Sequence, residues 1–136
     1  KNRKKAARAE VTSGASPHVL HAAWTIPQKQ QVAKEVHRGL PRISFSEVTD
    51  IVLNRDHVSV RLHSGNLCVA VMVYRVHPSF VEVVFCVASC RGCGHGLALL
   101  QYAQQVAVSQ QKRFMVTKGS QYALGFFQKC GFQIFQ

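Results

Sequence analysis

Acidic residues are scarce in this chain. Its 136 residues hold 6 Asp plus Glu against 17 Lys plus Arg, a formal net charge of +11. From residue 57 to the end there is a single carboxylate, Glu82. Such a balance excludes a cation-collecting acidic surface and points to an anionic partner, either nucleic acid or a phosphate-bearing ligand. Long apolar runs are also missing. No stretch approaches the ~20 residues that cross a bilayer, and no secretory leader opens the sequence, so a membrane partner is not expected. Cysteine is limited to five residues, an odd number in apolar or Gly-rich contexts. No disulfide framework is therefore expected, and a reducing intracellular compartment is. Lys1 in place of an initiator methionine reads as a processed chain or a piece of something longer. What is present, 47% hydrophobic residues in one domain's length of chain, suffices to bury roughly two-thirds of the unfolded surface.

The charge is unevenly placed. Residues 1–9 carry five basic groups and no acid, residues 10–56 five of each, and residues 57–136 seven basic groups against Glu82. Residues 1–23 show no sustained periodicity and read as a basic arm or linker ahead of one domain over 24–136. Helices are expected from Pro27 to His37, ended by Gly39-Leu40-Pro41, and from Ser44 to Leu53 with Ser44 or Ser46 as cap. Strands follow over 57–63, 67–75 and 79–88, separated by Ser64-Gly65-Asn66 and His77-Pro78. A Gly-rich loop then opens a helix over 96–110, followed by a strand at 113–117, a helix at 120–129 and a strand restarting at Gly131-Phe132. No segment repeats another. The layout is α/β, an antiparallel meander followed by a β-α-β-α-β tail.

Two features carry chemistry. Arg91-Gly92-Cys93-Gly94-His95-Gly96 lies between a strand and a helix. Its glycines permit backbone conformations closed to other residues, and a helix start offers unpaired N–H groups and a positive dipole end, which suit a phosphate. A tight strand-to-helix turn would use the same glycines. No Gly-Lys-Ser/Thr follows, so this is not a P-loop. Glu82 sits inside Phe80-Val81-Glu82-Val83-Val84-Phe85-Cys86, a run otherwise wholly apolar. Strict alternation places Phe80, Glu82, Val84, Cys86 and Ala88 on one face of a doubly covered strand. An unpartnered carboxylate there suits a general base; one ion-paired to Arg61 or Arg75 is purely structural. Cys86, Cys90, Cys93 and His95 offer a rival, C-x3-C-x2-C-x-H, with zinc-ligand chemistry but no knuckle to present it. The histidines at 18, 21, 37, 57, 63 and 77 read as surface or core packing.

Taken together, these segments resemble the Gcn5-related N-acetyltransferase superfamily (GNAT), and within it the Gcn5-type histone acetyltransferases. Arg91 to Gly96 fits the superfamily's Arg/Gln-x-x-Gly-x-Gly/Ala motif. Phe80 to Cys86 is similar to the Gcn5 strand that bears the catalytic glutamate. Tyr122-Ala-Leu-Gly-Phe-Phe-Gln-Lys-Cys-Gly-Phe132 resembles the Gcn5 segment Tyr-Ala-Ile-Gly-Tyr-Phe-Lys-Lys-Gln-Gly-Phe, and Leu40-Pro41-Arg42 and Asn54 to Ser59 match stretches ahead of the sheet. The likeness spans residues 24–136. It departs in a shorter loop between Cys86 and Arg91, in Gly119-Ser120-Gln121 where the family carries an acid, and in ending at Gln136, before a further family strand.

The resemblance implies a GNAT fold, a central mixed but mostly antiparallel sheet flanked by helices, and an acetyl-CoA-dependent transfer to a protein lysine, with histone tails as the expected substrate. Glu82 would be the general base for direct attack of the amine on the thioester. The backbone of Cys86, Val87 and Ala88 would pair with the acetyl and pantetheine arm, the N–H groups of Arg91, Gly92, Cys93, Gly94, His95, Gly96 and Leu97 would hold the pyrophosphate, and Tyr122 would line the far side of the coenzyme. No metal is implied. The expected setting is nuclear, within a larger chromatin assembly, with the basic arm touching DNA. A catalytically weak module of the same fold, binding acyl-CoA or a chromatin partner, is the competing expectation. The basic excess over 57–136 is expected to complement the coenzyme's phosphates.

Overall fold

A computed structural model describes residues 8–13, 16–90, 92–117 and 124–131. The elements run β1 (Arg8–Ser13), β2 (Ser16–Ala23), α1 (Ile26–Gly39), α2 (Phe45–Leu53), β3 (Val58–Ser64), β4 (Leu67–Val76), β5 (Phe80–Ala88), α3 (His95–Ser109), β6 (Phe114–Thr117) and α4 (Leu124–Lys129). The six strands form one sheet in the order β1-β2-β3-β4-β5-β6. All neighbours are antiparallel except β5 and β6, which the α3 crossover makes parallel. The α/β architecture and the mixed, mostly antiparallel sheet agree with the sequence reading.

The expected arm is corrected by this topology. Residues 8–13 and 16–23 form the antiparallel strands β1 and β2, and β2 extends the sheet by pairing with β3 from Val19↔His63 to Ala23↔Ser59. Leu20 and Ala23 are fully buried. The segment Val19-Leu20-His21-Ala22-Ala23 is too short and too rich in alanine to show a two-residue period. Its apolar side chains are buried by neighbouring elements rather than by any strong pattern of its own.

Each face of the sheet carries its own apolar cluster. Leu20, Val60, Leu62, Met72, Val81, Val83, Leu99 and Ala103 pack on the α3 side. Val71, Val73 and Phe85 pack with Val32, Ala33 and Val36 of α1 and Val48 and Val52 of α2 on the other. β4, buried on both faces from Val69 to Tyr74, separates the two. Helix α1 begins with a capping box. Thr25 Oγ1 accepts from the Gln28 N–H at 3.2 Å, and the Gln28 amide oxygen accepts from the Thr25 N–H at 3.1 Å. Ser44, of the two caps expected, is the one used: its Oγ accepts from the Glu47 N–H at 3.1 Å. The expected 120–129 helix is seen from Leu124 onward, and the strand expected to restart after Gly131 lies outside the described residues.

Helix α1 closes on β5 through a glycine. A Cβ placed on Gly39 would overlap Val87 Cγ1. Gly39→Ala is therefore expected to destabilise the protein by about 1–3 kcal/mol through overpacking, measurable by urea denaturation, whereas Gly65→Ala meets no neighbour at its Cβ and has backbone strain alone to bear.

Candidate active site

Strand β5 brings the site's side chains together, and it does so with an irregularity. Val73 pairs with Phe85 and the next residue, Tyr74, pairs with Val83, so Val84 is left without an opposite number. This β-bulge advances the alternation by one residue. Val81 and Val83 face the α3 cluster and, beyond the bulge, so do Cys86 and Ala88. Val84, Phe85 and Val87 face α1 and α2. The single face expected for Phe80, Glu82, Val84, Cys86 and Ala88 is thus corrected: Glu82 and Cys86 point to opposite sides of the sheet.

Glu82 is not the unpartnered buried carboxylate that the apolar run suggested. Its side chain is 23% exposed, and Oε1 accepts a hydrogen bond from His77 Nε2 at 2.7 Å. Neither expected arginine holds it. Arg75, its cross-strand neighbour, reaches Asp56 at 3.7 Å, and Arg61 donates to the Ala22 carbonyl at 3.1 Å. In the sequence alone His77 has no feature beyond packing to mark it, except its position five residues before Glu82, across the His77-Pro78 turn that starts β5. The turn itself is closed by the His77 N–H donating to the Phe80 carbonyl at 2.8 Å.

Pairing between β5 and β6 runs from Phe80↔Phe114 to Val83↔Thr117, where Thr117 Oγ1 also donates to the Val83 carbonyl at 3.0 Å. Among the described residues no strand pairs with that edge beyond Val83. On the opposite face, a cleft of about 190 Å³ brings Val87, Ala88 and Ser89 against Glu35, Arg38 and Gly39 of α1, with Arg38 Nη1 and Glu35 Oε1 3.1 Å apart on its rim.

The Gly-rich loop has the backbone that its sequence promised. Gly92 and Gly94 hold φ of +77° and +80°, the left-handed region, where glycine is the residue without penalty. Gly94 is the N-cap of α3 and supplies no side-chain hydrogen bond to it. The first-turn N–H groups, which no helical carbonyl can satisfy, are therefore left to a ligand or water, with the positive end of the helix dipole behind them. Gly92, Cys93, Gly94 and Leu97 are exposed. His95 is buried against His18, with ring centroids 4.9 Å apart, and burial first and His18 second lower its pKa. A neutral, inward ring leaves only the His95 main chain for an anion. Arg91 and Tyr122 lie outside the described residues.

Two further expectations are corrected here. Cys90 and Cys93 are joined as a disulfide, although no disulfide was expected. Three residues apart in a glycine loop, their Cα atoms lie 5.9 Å from each other. The rival zinc set is broken, since those thiols are spent on each other and the Cys86 thiol lies toward the Gly96 carbonyl at 3.9 Å. Among the described residues no three His, Cys, Asp or Glu side chains are grouped to hold a metal. Nor do the described basic groups gather at the glycine loop. Arg75 is opposite Glu82, Lys112 donates to the Pro78 carbonyl at 2.9 Å, and Arg113 lies over the Phe114 ring, all toward the far end of β5. Among the described residues, main-chain donors at the start of α3 rather than side-chain cations supply the loop's positive field.

Among the described residues the site thus holds a parallel β5–β6 pair in register as far as Val83↔Thr117, a half-buried carboxylate beside it and a glycine-cradled helix start after β5, the arrangement that the resemblance to acetyltransferases leads one to expect. The chain belongs to the acetyltransferase (GNAT) family, whose sequence model matches residues 23–132. Its structure is similar to the crystal structure of Tetrahymena GCN5, with a TM-score of 0.75 at 18% identity over 82% of this chain and 77% of that one. It is also similar to a predicted acetyltransferase of Clostridium acetobutylicum solved with acetyl-CoA, with a TM-score of 0.70 at 14% identity over 87% and 91% of the two chains. A ribosomal-protein-alanine N-acetyltransferase of Brucella melitensis gives 0.71 at 10% identity over 86% and 93%. Acetyl-CoA is the family's acetyl donor, and the first-turn N–H groups of α3 over His95–Leu97 fit its pyrophosphate.

Proposed function

We propose that the chain is a protein lysine N-acetyltransferase acting on histone tails, with Glu82 as general base. The carrying observation is the placement of Glu82. Its carboxylate is half-buried and, among the described residues, held by one hydrogen bond on Oε1, which leaves Oε2 to take a proton directly or through water. A substrate ammonium with a pKa near 10.4 must lose that proton before it becomes a nucleophile. The edge of β5 beyond Val83 would receive the pantetheine arm, with the Cys86, Val87 and Ala88 main chain as partners. Bound acetyl-CoA supplies the activated acetyl group.

Direct attack by the amine is favoured over transfer through a cysteine. The Cys86 thiol is pushed up to about 12, by desolvation first and by Cys130 second, so at neutral pH it is not a thiolate, the nucleophilic form. A nuclear setting, a chromatin assembly and DNA contact by the basic N-terminal residues belong to the same reading and follow from the resemblance to Gcn5-type enzymes.

One observation favours a second reading. Arg75, Lys112 and Arg113 cluster around the Glu82 end of β5, and a positive field there repels a lysine embedded in a basic tail. An isolated acceptor amine, such as a protein N-terminus, would meet less repulsion, and a catalytically weak binding module would transfer to neither. Thiol release from acetyl-CoA separates these readings when measured over histone tail peptides, acetylated and free N-terminal peptides, and buffer alone. Histone-lysine turnover above the others is expected. Preference for the free N-terminus reassigns the acceptor, and silence on every acceptor with acetyl-CoA still bound reassigns the protein as a binding module.

A further inference from the structure

We infer that His77 is a positioning residue for the Glu82 carboxylate. The inference rests on Glu82 being the base and adds a residue to that machinery. Three contacts fix the imidazole in place. The His77 main-chain N–H closes the turn onto the Phe80 carbonyl at 2.8 Å, the ring stacks on Phe80 with centroids 4.3 Å apart and planes 17° apart, and Nε2 meets Glu82 Oε1 at 2.7 Å. The ring and the carboxylate are equally shielded, each 23% exposed, so water competes only partly for the bond between them.

The chemistry follows from which atom is occupied. A free carboxylate on a strand samples several χ3 angles, since terminal sp³–sp² torsions are broad. A donor locked onto Oε1 selects one of them and leaves Oε2 directed at the amine's proton. Nε2 must then carry hydrogen, since an ionised carboxylate can only accept. The surrounding charges do not replace this role. Arg75, opposite on β4, is turned to Asp56. Lys112 is held on the Pro78 carbonyl, and Arg113 over Phe114. On β6, the residues in register with Phe80–Val83 are Phe114, Met115, Val116 and Thr117, none of them titratable near neutral pH. Among the described residues His77 is the group within ion-pair distance of Glu82.

The test is a cycle of variants assayed with acetyl-CoA and the acceptor of highest turnover in the panel above. His77→Phe keeps the stack on Phe80 and removes the donor, so kcat is expected to fall roughly 10- to 100-fold with the KM for acetyl-CoA unchanged. His77→Gln, which restores an N–H donor, is expected to recover most of that loss. In a Glu82→Gln background, adding His77→Phe should cost nothing further, because there is no base left to aim. A merely structural histidine would instead lower kcat and coenzyme affinity together and would add its effect in that background. Full turnover in His77→Phe, alongside an inactive Glu82→Gln, overturns the role of His77 alone. Full turnover in Glu82→Gln overturns the base assignment, and this inference with it.

Discussion

Glu82→Gln is expected to lower kcat by roughly 10²- to 10⁴-fold while acetyl-CoA binding stays unchanged. The substitution is close to isosteric, and the amide oxygen can still accept the His77 Nε2 hydrogen bond seen at 2.7 Å, so the side chain keeps its place. What it loses is basicity. At pH 7.4 only about one lysine amine in a thousand is unprotonated, and without a proton acceptor the reaction must draw on that fraction. The variant's residual rate should therefore climb about tenfold per pH unit up to the amine's own pKa near 10.4, a slope that the wild type should not show. Thiol release at saturating coenzyme gives kcat across pH, and calorimetry gives the coenzyme affinity. A variant with wild-type turnover at pH 7.4 would remove Glu82 from the chemistry.

Much of the sheet was legible because its inner strands carry their own signal. β3, β4 and β5 are rich in valine and bounded by Ser64-Gly65-Asn66 and His77-Pro78, and each falls within a residue or two of its expected limits. β1 and β2 were not legible. β2 joins the sheet through its hydrogen bonds to β3, and the residues clustered with Leu20, among them Val60, Leu62 and Met72, are far away in sequence. A strand stabilised by its neighbours leaves little trace in its own composition.

At the site, legibility divides between backbone and side chain. The glycine loop was readable because a left-handed φ at positions 92 and 94 demands glycine, so conformation is written directly into residue type. The bulge at Val84 has no such mark. Val83-Val84-Phe85 is uniformly β-forming, and only the register against Val73 and Tyr74 shows which residue is extra. That single insertion decides that Cys86 faces α3 while Glu82 does not. His77 escaped for a similar reason: a histidine gains its role from the atom it meets. The sequence holds seven histidines with nothing to separate this one except nearness to the turn. The lone acid of residues 57–136 was the better guide, because a carboxylate in an apolar run requires an explanation.

The glycine loop yields the second large effect, on the coenzyme rather than on the chemistry. Gly94→Val is expected to raise the KM and Kd for acetyl-CoA about tenfold or more, equivalent to at least ~1.4 kcal/mol of binding, with kcat at saturating coenzyme nearly unchanged. At φ +80° an L-residue bears about 1–2 kcal/mol, and a β-branched one more, since its side chain crowds the carbonyl oxygen. The chain relieves this strain by rotating the Cys93–Gly94 and Gly94–His95 peptides, the groups that aim the first N–H donors of α3. Loss of aim costs binding because those donors have no side-chain cap to reorganise around. Strain alone also lowers stability, so a matched control is needed. Gly65 has φ +62° and open space at its Cβ, in the β3–β4 turn and not in the glycine loop. Gly65→Val should lower Tm by a similar amount, about 2–8 °C, and leave the acetyl-CoA affinity untouched. If the two variants lose stability alike and both keep wild-type affinity, the phosphates are held elsewhere than at the start of α3.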